Sequence, residues 1–276
     1  MKMRPIKLQG TVHLLPNLFT TANLAMGIYA ITLVLKPDCN YAAASLAIVF
    51  AMVFDVFDGL IARMTKTTSR FGMELDSLAD LVSFGVAPAI MVYNKSLSMF
   101  DSIHYKAVGR IGFLICVVYA GCAALRLARF NSRIEDESKS FSGIPTPGAA
   151  GVIVSYFLLI ENGIVPMGVA NFITQWILPV ITACLGILMV STVRFPAPAK
   201  QILWKRHPFM YFALAAGLLA LVIANHGLTL FVLFAGYALY GLVSHIRHAL
   251  RNPRPLTGSS QSTLPDEQYP NEIPSS

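Results

Sequence analysis

The sequence predicts an all-α, polytopic integral membrane protein of about eight transmembrane helices, with six as the lower bound. Three observations predict it. Hydrophobic residues make up 55% of the 276 and charged residues only 13%, against about 25% charged in a soluble domain. Several apolar runs reach the ~20 residues that carry a helix across a ~30 Å hydrocarbon layer. Lysine and arginine also fall on alternate connections, the pattern that cytoplasmic loops impose.

Taken in order, residues 1–16 are basic and mildly amphipathic, and are expected to lie on the inner membrane surface. Spans are expected at 18–35, 41–63, 74–93, 107–128, 148–165, 172–191, 208–225 and 227–246. The first run begins late, is broken by Asn17, Thr20, Thr21 and Asn23, and lacks a clear small-residue cleavage site, so it reads as a span rather than a cleavable signal. Spans five and seven are short, and only Asn225-His226-Gly227 separates the last two. Residues 17–248 form one membrane domain without an internal repeat. Residues 249–276 are rich in proline and serine and are expected to be a disordered cytoplasmic tail.

Charge tests the count independently. With the N-terminus inside, 17 of the 21 basic residues fall on inner segments, and only Lys36, Lys95, Lys106 and Arg110 fall outside. Both termini are therefore expected in the cytoplasm, at the inner membrane. The net charge of +7 is then topology signal, reinforced by attraction to anionic lipid head groups. Nucleic-acid binding needs a basic stripe on a soluble face, and the sequence has none. Four cysteines form no disulfide framework, and the six histidines form no ligand cluster.

Ionisable residues inside spans are costly and usually face a polar interior. Here they concentrate at the end of span two and the start of span three, in FDVFDGLIARMTKTTSRFGMELDSLADLVSFG. Asp55 and Asp58 are spaced i,i+3, and Asp76 and Asp80 i,i+4, so each pair lies on one helix face. Consecutive antiparallel helices can bring the pairs to one level. Four carboxylates in a low dielectric repel strongly and stay ionised only with compensating cations. Hard divalent ions with oxygen ligands, Mg²⁺ or Mn²⁺, fit best. Gly59 removes a side chain where a ligand would approach the backbone, and Ala62 keeps the same face open one turn on. Arg63 and Arg70 offer bidentate clamps for phosphate oxygens, and Gly72 lets the chain turn into span three. Two other readings stand beside this one: a proton or cation path in a transporter, and a structural charge network with Arg63. Gly59 and Ala62 taken alone also read as helix-packing residues.

The segment Asp55-x2-Asp58-Gly59-x2-Ala62-Arg63-x8-Gly72-x3-Asp76-x3-Asp80 resembles the full signature of the CDP-alcohol phosphotransferases, with all eight positions at the family spacing. The resemblance is strongest over 15–150. It implies a membrane-embedded helix bundle that joins a CDP-linked lipid to an alcohol and releases CMP. It also implies two divalent ions held by Asp55, Asp58, Asp76 and Asp80, with Asp80 as the catalytic general base. Gly59, Ala62 and Arg63 match positions that receive the CDP moiety. Arg70, Gly72 and Asn23 are further candidates for the CDP-lipid site, although helix–helix hydrogen bonding is the commoner role of such an asparagine. A homodimer is also expected.

Three segments, LDSLADLVSFGVAPA at 75–89, ALRLARFN at 124–131 and FSGIPTPGAAG at 141–151, resemble the phosphatidylserine synthase branch. That branch implies CDP-diacylglycerol as donor and L-serine as acceptor. A zwitterionic acceptor needs a partner for its carboxylate, and Arg126, Arg129 and Asn131 are the candidates. Arginines at an inner helix end also serve topology. Glycerol 3-phosphate, inositol phosphate and choline are the alternative acceptors within the family. An ion-coupled transporter is the alternative outside it.

Overall fold

The computed structural model describes residues 14–65, 69–97, 106–133, 143–191, 193, 221 and 224–251. All elements are helical, and there is no strand among the described residues. Helix α1 is Leu14–Leu35 and α2 is Tyr41–Thr65. Helix α3 covers 70–97, α4 is Lys106–Arg133, α5 is Thr146–Glu161, α6 is Met167–Val190 and α7 is His226–Arg251. Six of these are long and apolar enough to cross a membrane, and α5 is the shorter one. The predicted seventh span, 208–225, lies almost wholly outside the described residues, as do 1–13 and 252–276 of the predicted terminal segments.

Helix α5 is the centre of the bundle. From Gly148 to Leu159 every residue is buried, which explains an apolar composition with no polar face. Small residues admit its neighbours. A side chain at Gly151 would overlap the Phe234 ring of α7, and one at Gly227 would run into the Leu158 carbonyl. Tyr41 of α2 stacks on Phe157 with ring centroids 5.3 Å apart. The helix stops before the predicted 165 because Gly163 takes a left-handed φ of 67° and its N–H donates back to the Ile160 carbonyl at 2.9 Å, a glycine-terminated helix end.

Two helices widen to π geometry just before a proline: α3 over Leu81–Val86, ahead of Pro88, and α6 over Ile173–Ile177, ahead of Pro179. Proline has no N–H for the carbonyl four residues back. For Pro88 that carbonyl belongs to Phe84, and the buried Tyr119 hydroxyl of α4 donates to it at 3.2 Å. The same stretch of α3 is pinned to α1. Ser83 donates to the Asn23 carbonyl at 2.9 Å, and Gly27 lies directly on Ser83. These contacts fix the rotation of α3 one turn beyond Asp80.

The outer faces stay apolar. Leu18, Phe50, Val56, Leu114, Leu125, Val180, Val232 and Leu239 are all exposed, an apolar belt too extensive for a monomer in water and suited to lipid. At one end of the bundle the Gly143 N–H donates to the Val193 carbonyl at 2.8 Å, and the Ile144 N–H to the Leu188 carbonyl at 3.3 Å. At the other end Asn162 donates to the Asn225 side chain at 3.1 Å. Val193, which precedes the predicted seventh span, and Asn225, the last residue of that span, therefore stand at opposite ends of α5.

Gly143 has a φ of 89°, and a Cβ there would meet the Met189 carbonyl carbon at 2.9 Å. Gly143→Ala is expected to destabilise the fold by about 2 kcal/mol, from left-handed strain plus that clash. Thermal unfolding in detergent checks it; an unchanged melting temperature would mean that the α5–α6 junction relaxes freely.

Candidate active site

The carboxylates sit where α2, α3 and α1 meet. Helix α3 begins with a side-chain cap, the Ser69 hydroxyl accepting from the Gly72 N–H at 3.0 Å. Such a cap satisfies one of the orphan donors of the first turn. From that start the i,i+4 spacing turns Asp76 and Asp80 toward α2, whose last turns carry Asp55 and Asp58. Oxygens of Asp55, Asp76 and Asp80 lie within 4.8 Å of one another. Two ionised carboxylates at such a separation repel by about 3 kcal/mol at an effective dielectric near 20, and three of them compound it. One oxygen, Asp76 Oδ1, is buried without a hydrogen-bond partner. An all-oxygen, acidic, partly unsatisfied donor set of this kind suits a hard divalent cation.

Asp58 stands slightly apart. It is buried, accepts from the Thr20 hydroxyl of α1 at 2.9 Å and faces a neighbouring cavity of about 170 Å³. That cavity is lined by Asn17 and Thr20 of α1, by Asp58, Gly59, Ala62 and Arg63 of α2, and by Ser69, Gly72 and Asp76 at the start of α3. The glycine and alanine positions of the signature thus form its wall. A Cβ at Gly59 would meet nothing within 4 Å, so this side of α2 is open space. Arg63 is exposed at the rim, where a guanidinium can reach phosphate oxygens. Arg70 is exposed and does not line the cavity.

Asn23 is fully buried in α1 and donates to Asp80 Oδ1 at 3.0 Å. It lies behind the carboxylates rather than among the cavity walls. Thr20 and Asn23 therefore hold one aspartate of each pair. Thr20 was not among the residues expected from the sequence; its place on the same face as Asn23, three residues on, was the available signal.

The three residues expected to meet an acceptor carboxylate separate. Arg126 of α4 is half-buried, donates from Nη1 to the Thr146 hydroxyl at 3.4 Å, and lies within electrostatic reach of Asp80 and Tyr237. Its Nε is buried without a hydrogen-bond partner. Arg129 is exposed and donates to the Val190 carbonyl at 3.2 Å. Asn131 donates to Ser77 at 3.0 Å and to Glu74 at 3.3 Å, on the outer side of α3. Only Arg126 of the three has a carboxylate of the cluster, Asp80, within electrostatic reach.

Comparison with known proteins follows the same residues. The family model described as CDP-alcohol phosphatidyltransferase matches residues 13–188. A protein of Helicobacter pylori (strain J99) named CDP-diacylglycerol–serine O-phosphatidyltransferase is 34% identical over 239 residues, covering 85% of this chain and 92% of its own. A protein of Methanocaldococcus jannaschii with the same name is 34% identical over 200 residues, 72% of this chain and 83% of its own. An archaetidylserine synthase of Methanothermobacter thermautotrophicus is 32% identical over 184 residues, 66% and 69% of the two chains. The matched region contains every carboxylate and every cavity residue described above. The chain belongs to the CDP-alcohol phosphatidyltransferase family, the phosphotransferases whose signature lines this cluster and cavity.

Proposed function

We propose that the chain transfers a phosphatidyl group from CDP-diacylglycerol to L-serine, giving phosphatidylserine and CMP. The observation that carries this reading is the convergence of Asp55, Asp76 and Asp80 within 4.8 Å beside a cavity walled by the small residues of the signature. The relatives named for serine transfer, which match most of this chain, support the choice of acceptor.

In this reading the CDP head enters the cavity, where Gly59, Ala62 and Gly72 admit it and Arg63 binds phosphate oxygens at the rim. Asp58, held by Thr20, and the cluster of Asp55, Asp76 and Asp80 would hold two divalent ions, Mg²⁺ or Mn²⁺, which would supply positive charge to offset the diphosphate and the charge that develops on departing CMP. The serine hydroxyl oxygen attacks the phosphorus bonded to the diacylglycerol oxygen. The bond from that phosphorus to the bridging diphosphate oxygen breaks, and its electron pair leaves with CMP. The hydroxyl proton passes to Asp80. Asn23 occupies Asp80 Oδ1 and leaves Oδ2 to take that proton, which is the geometry a general base needs. Arg126 receives the serine carboxylate. Arg129 and Asn131, bonded elsewhere, shape the ends of α6 and α3 around it.

The carboxylate end faces the cytoplasm, in line with the distribution of basic residues, and the lipid tails enter from the bilayer. The protein works as a homodimer, which light scattering of the detergent-solubilised protein would test. The deciding experiment is CMP release by purified protein with CDP-diacylglycerol and Mg²⁺ or Mn²⁺, comparing L-serine, glycerol 3-phosphate, inositol phosphate and choline. Serine- and metal-dependent release with phosphatidylserine as product is expected. Release with another acceptor would retain the aspartate chemistry and discard serine. Release with none would remove the reading.

A further inference from the structure

Helix α7 lies beyond the region matched by the family model, residues 13–188, and packs against α5. Its inward stripe is Leu230, Phe231, Phe234, Tyr237, Ala238 and Gly241, an i,i+3,i+4 pattern whose members are buried or half-buried. Only Tyr237 in that stripe carries a polar atom. The packing that the stripe needs is apolar: Phe234 fills the space left by Gly151, and the Tyr237 ring lies over Gly148, where a Cβ would come within 3.5 Å of its Cε1. A phenylalanine would serve this packing equally well. The hydroxyl needs a different explanation.

That explanation is Arg126. Its guanidinium donates to the Thr146 hydroxyl at the start of α5 at 3.4 Å and lies within electrostatic reach of Asp80 of α3 and Tyr237 of α7, whose ring lies over Gly148, two residues from Thr146. With Nη1 engaged by Thr146 and Nε buried without a partner, the fork keeps a donor for an incoming oxygen. A buried, unpaired guanidinium donor costs free energy until a ligand satisfies it. It lies within reach of Asp80, where the acceptor hydroxyl must lose its proton. A small acceptor carrying both a hydroxyl and a carboxylate would bridge the two.

We propose that Tyr237 is a positioning residue for the acceptor subsite: with Thr146 it holds Arg126 so that the guanidinium receives the acceptor's carboxylate. Helix α7 thus contributes to a subsite whose other members, Arg126 and Thr146, lie within 13–188. This rests on the serine reading given above, and the two fail differently.

The test uses the full chain in detergent. Wild type is assayed first with L-serine and with serinol, in which a hydroxymethyl group replaces the carboxylate. Serine-dependent release in wild type is the control that the serine reading must pass on its own. Tyr237→Phe is then expected to raise the KM for L-serine about tenfold, the scale of one hydrogen bond to a charged group. The KM for CDP-diacylglycerol and the rate with serinol should stay within about twofold. Thr146→Val should give the same split, and it keeps the test decisive should Tyr237→Phe fail to fold. An unchanged serine KM in the folded variants would overturn the proposal. So would an equal rise in the KM of both substrates, which is the signature of a merely structural role.

Discussion

Asp80→Asn is expected to lower turnover by about a thousandfold, within the usual range for loss of a positioned general base, while CDP-diacylglycerol still binds. The substitution is close to isosteric. The new amide oxygen can still accept from Asn23, which donates to Oδ1 at 3.0 Å in the wild type, so α1 and α3 keep their register. What disappears is one negative charge from a buried cluster in which Asp55, Asp76 and Asp80 lie within 4.8 Å of each other. In cation-free buffer the variant should therefore unfold at the same temperature as wild type or higher, because a neutral amide relieves the cost of crowding buried carboxylates that no cation compensates. A catalytic loss with no stability loss separates chemistry from folding. Binding is read with a fluorescent CDP-lipid and turnover by CMP release. Wild-type turnover would remove the general-base role. Recovery of turnover at raised Mg²⁺ or Mn²⁺ would show that Asp80 matters as a cation ligand and not as the proton acceptor.

The sequence carried the carboxylate site further than it carried the acceptor site, and the reason is local geometry. Helical spacing turns Asp76 and Asp80 to one face, and the antiparallel pairing of consecutive helices can bring that face to the level of Asp55. The structure keeps that relation because the 69–72 cap and the Ser83–Asn23 contact fix the rotation of α3. Spacing does not say which neighbour a side chain meets. Asp58 and Asp80 are held by Thr20 and Asn23 across 38 and 57 residues, and nothing in the local pattern around either aspartate names those partners. Arg126, Arg129 and Asn131 sit within six positions on α4, yet they bond to α5, α6 and α3 respectively, because successive residues on a helix point in different directions. Pro88 lies inside the predicted span 74–93, and nothing in that reading marked the widened turn ahead of it. Its carbonyl debt is met by Tyr119 from another helix. The brevity of α5 was likewise readable from Asn162-Gly163 only once Gly163 is known to be left-handed.

Divalent cations are expected to raise the melting temperature of the detergent-solubilised protein, and Asp76→Asn is expected to abolish that rise together with turnover. Asp76 bridges the two parts of the site: it belongs to the three-carboxylate cluster and also lines the cavity that Asp58 faces. Its Oδ1 is buried with no protein donor, so a cation is the natural partner for that oxygen, and a neutral amide there offers far less to a hard ion. A ligand that binds only the folded state at one hundred times its Kd adds about 2.7 kcal/mol of stability. Titrating Mg²⁺ or Mn²⁺ into wild type should therefore shift unfolding upward until the site saturates, and a chelator should reverse it. The same titration of Asp76→Asn should give a flat line, with an unfolding temperature in chelator no lower than that of wild type, because the variant has one less carboxylate to crowd into an uncompensated cluster. This readout does not require turnover, so it tests cation binding separately from substrate choice. A cation-dependent shift that survives Asp76→Asn would place the ion elsewhere and leave the buried Oδ1 without its partner. No shift in wild type up to millimolar cation would mean that the cluster binds metal only once the diphosphate of the donor supplies further oxygens. Repeating the titration with CDP-diacylglycerol present would then decide whether carboxylates and diphosphate form one joint site.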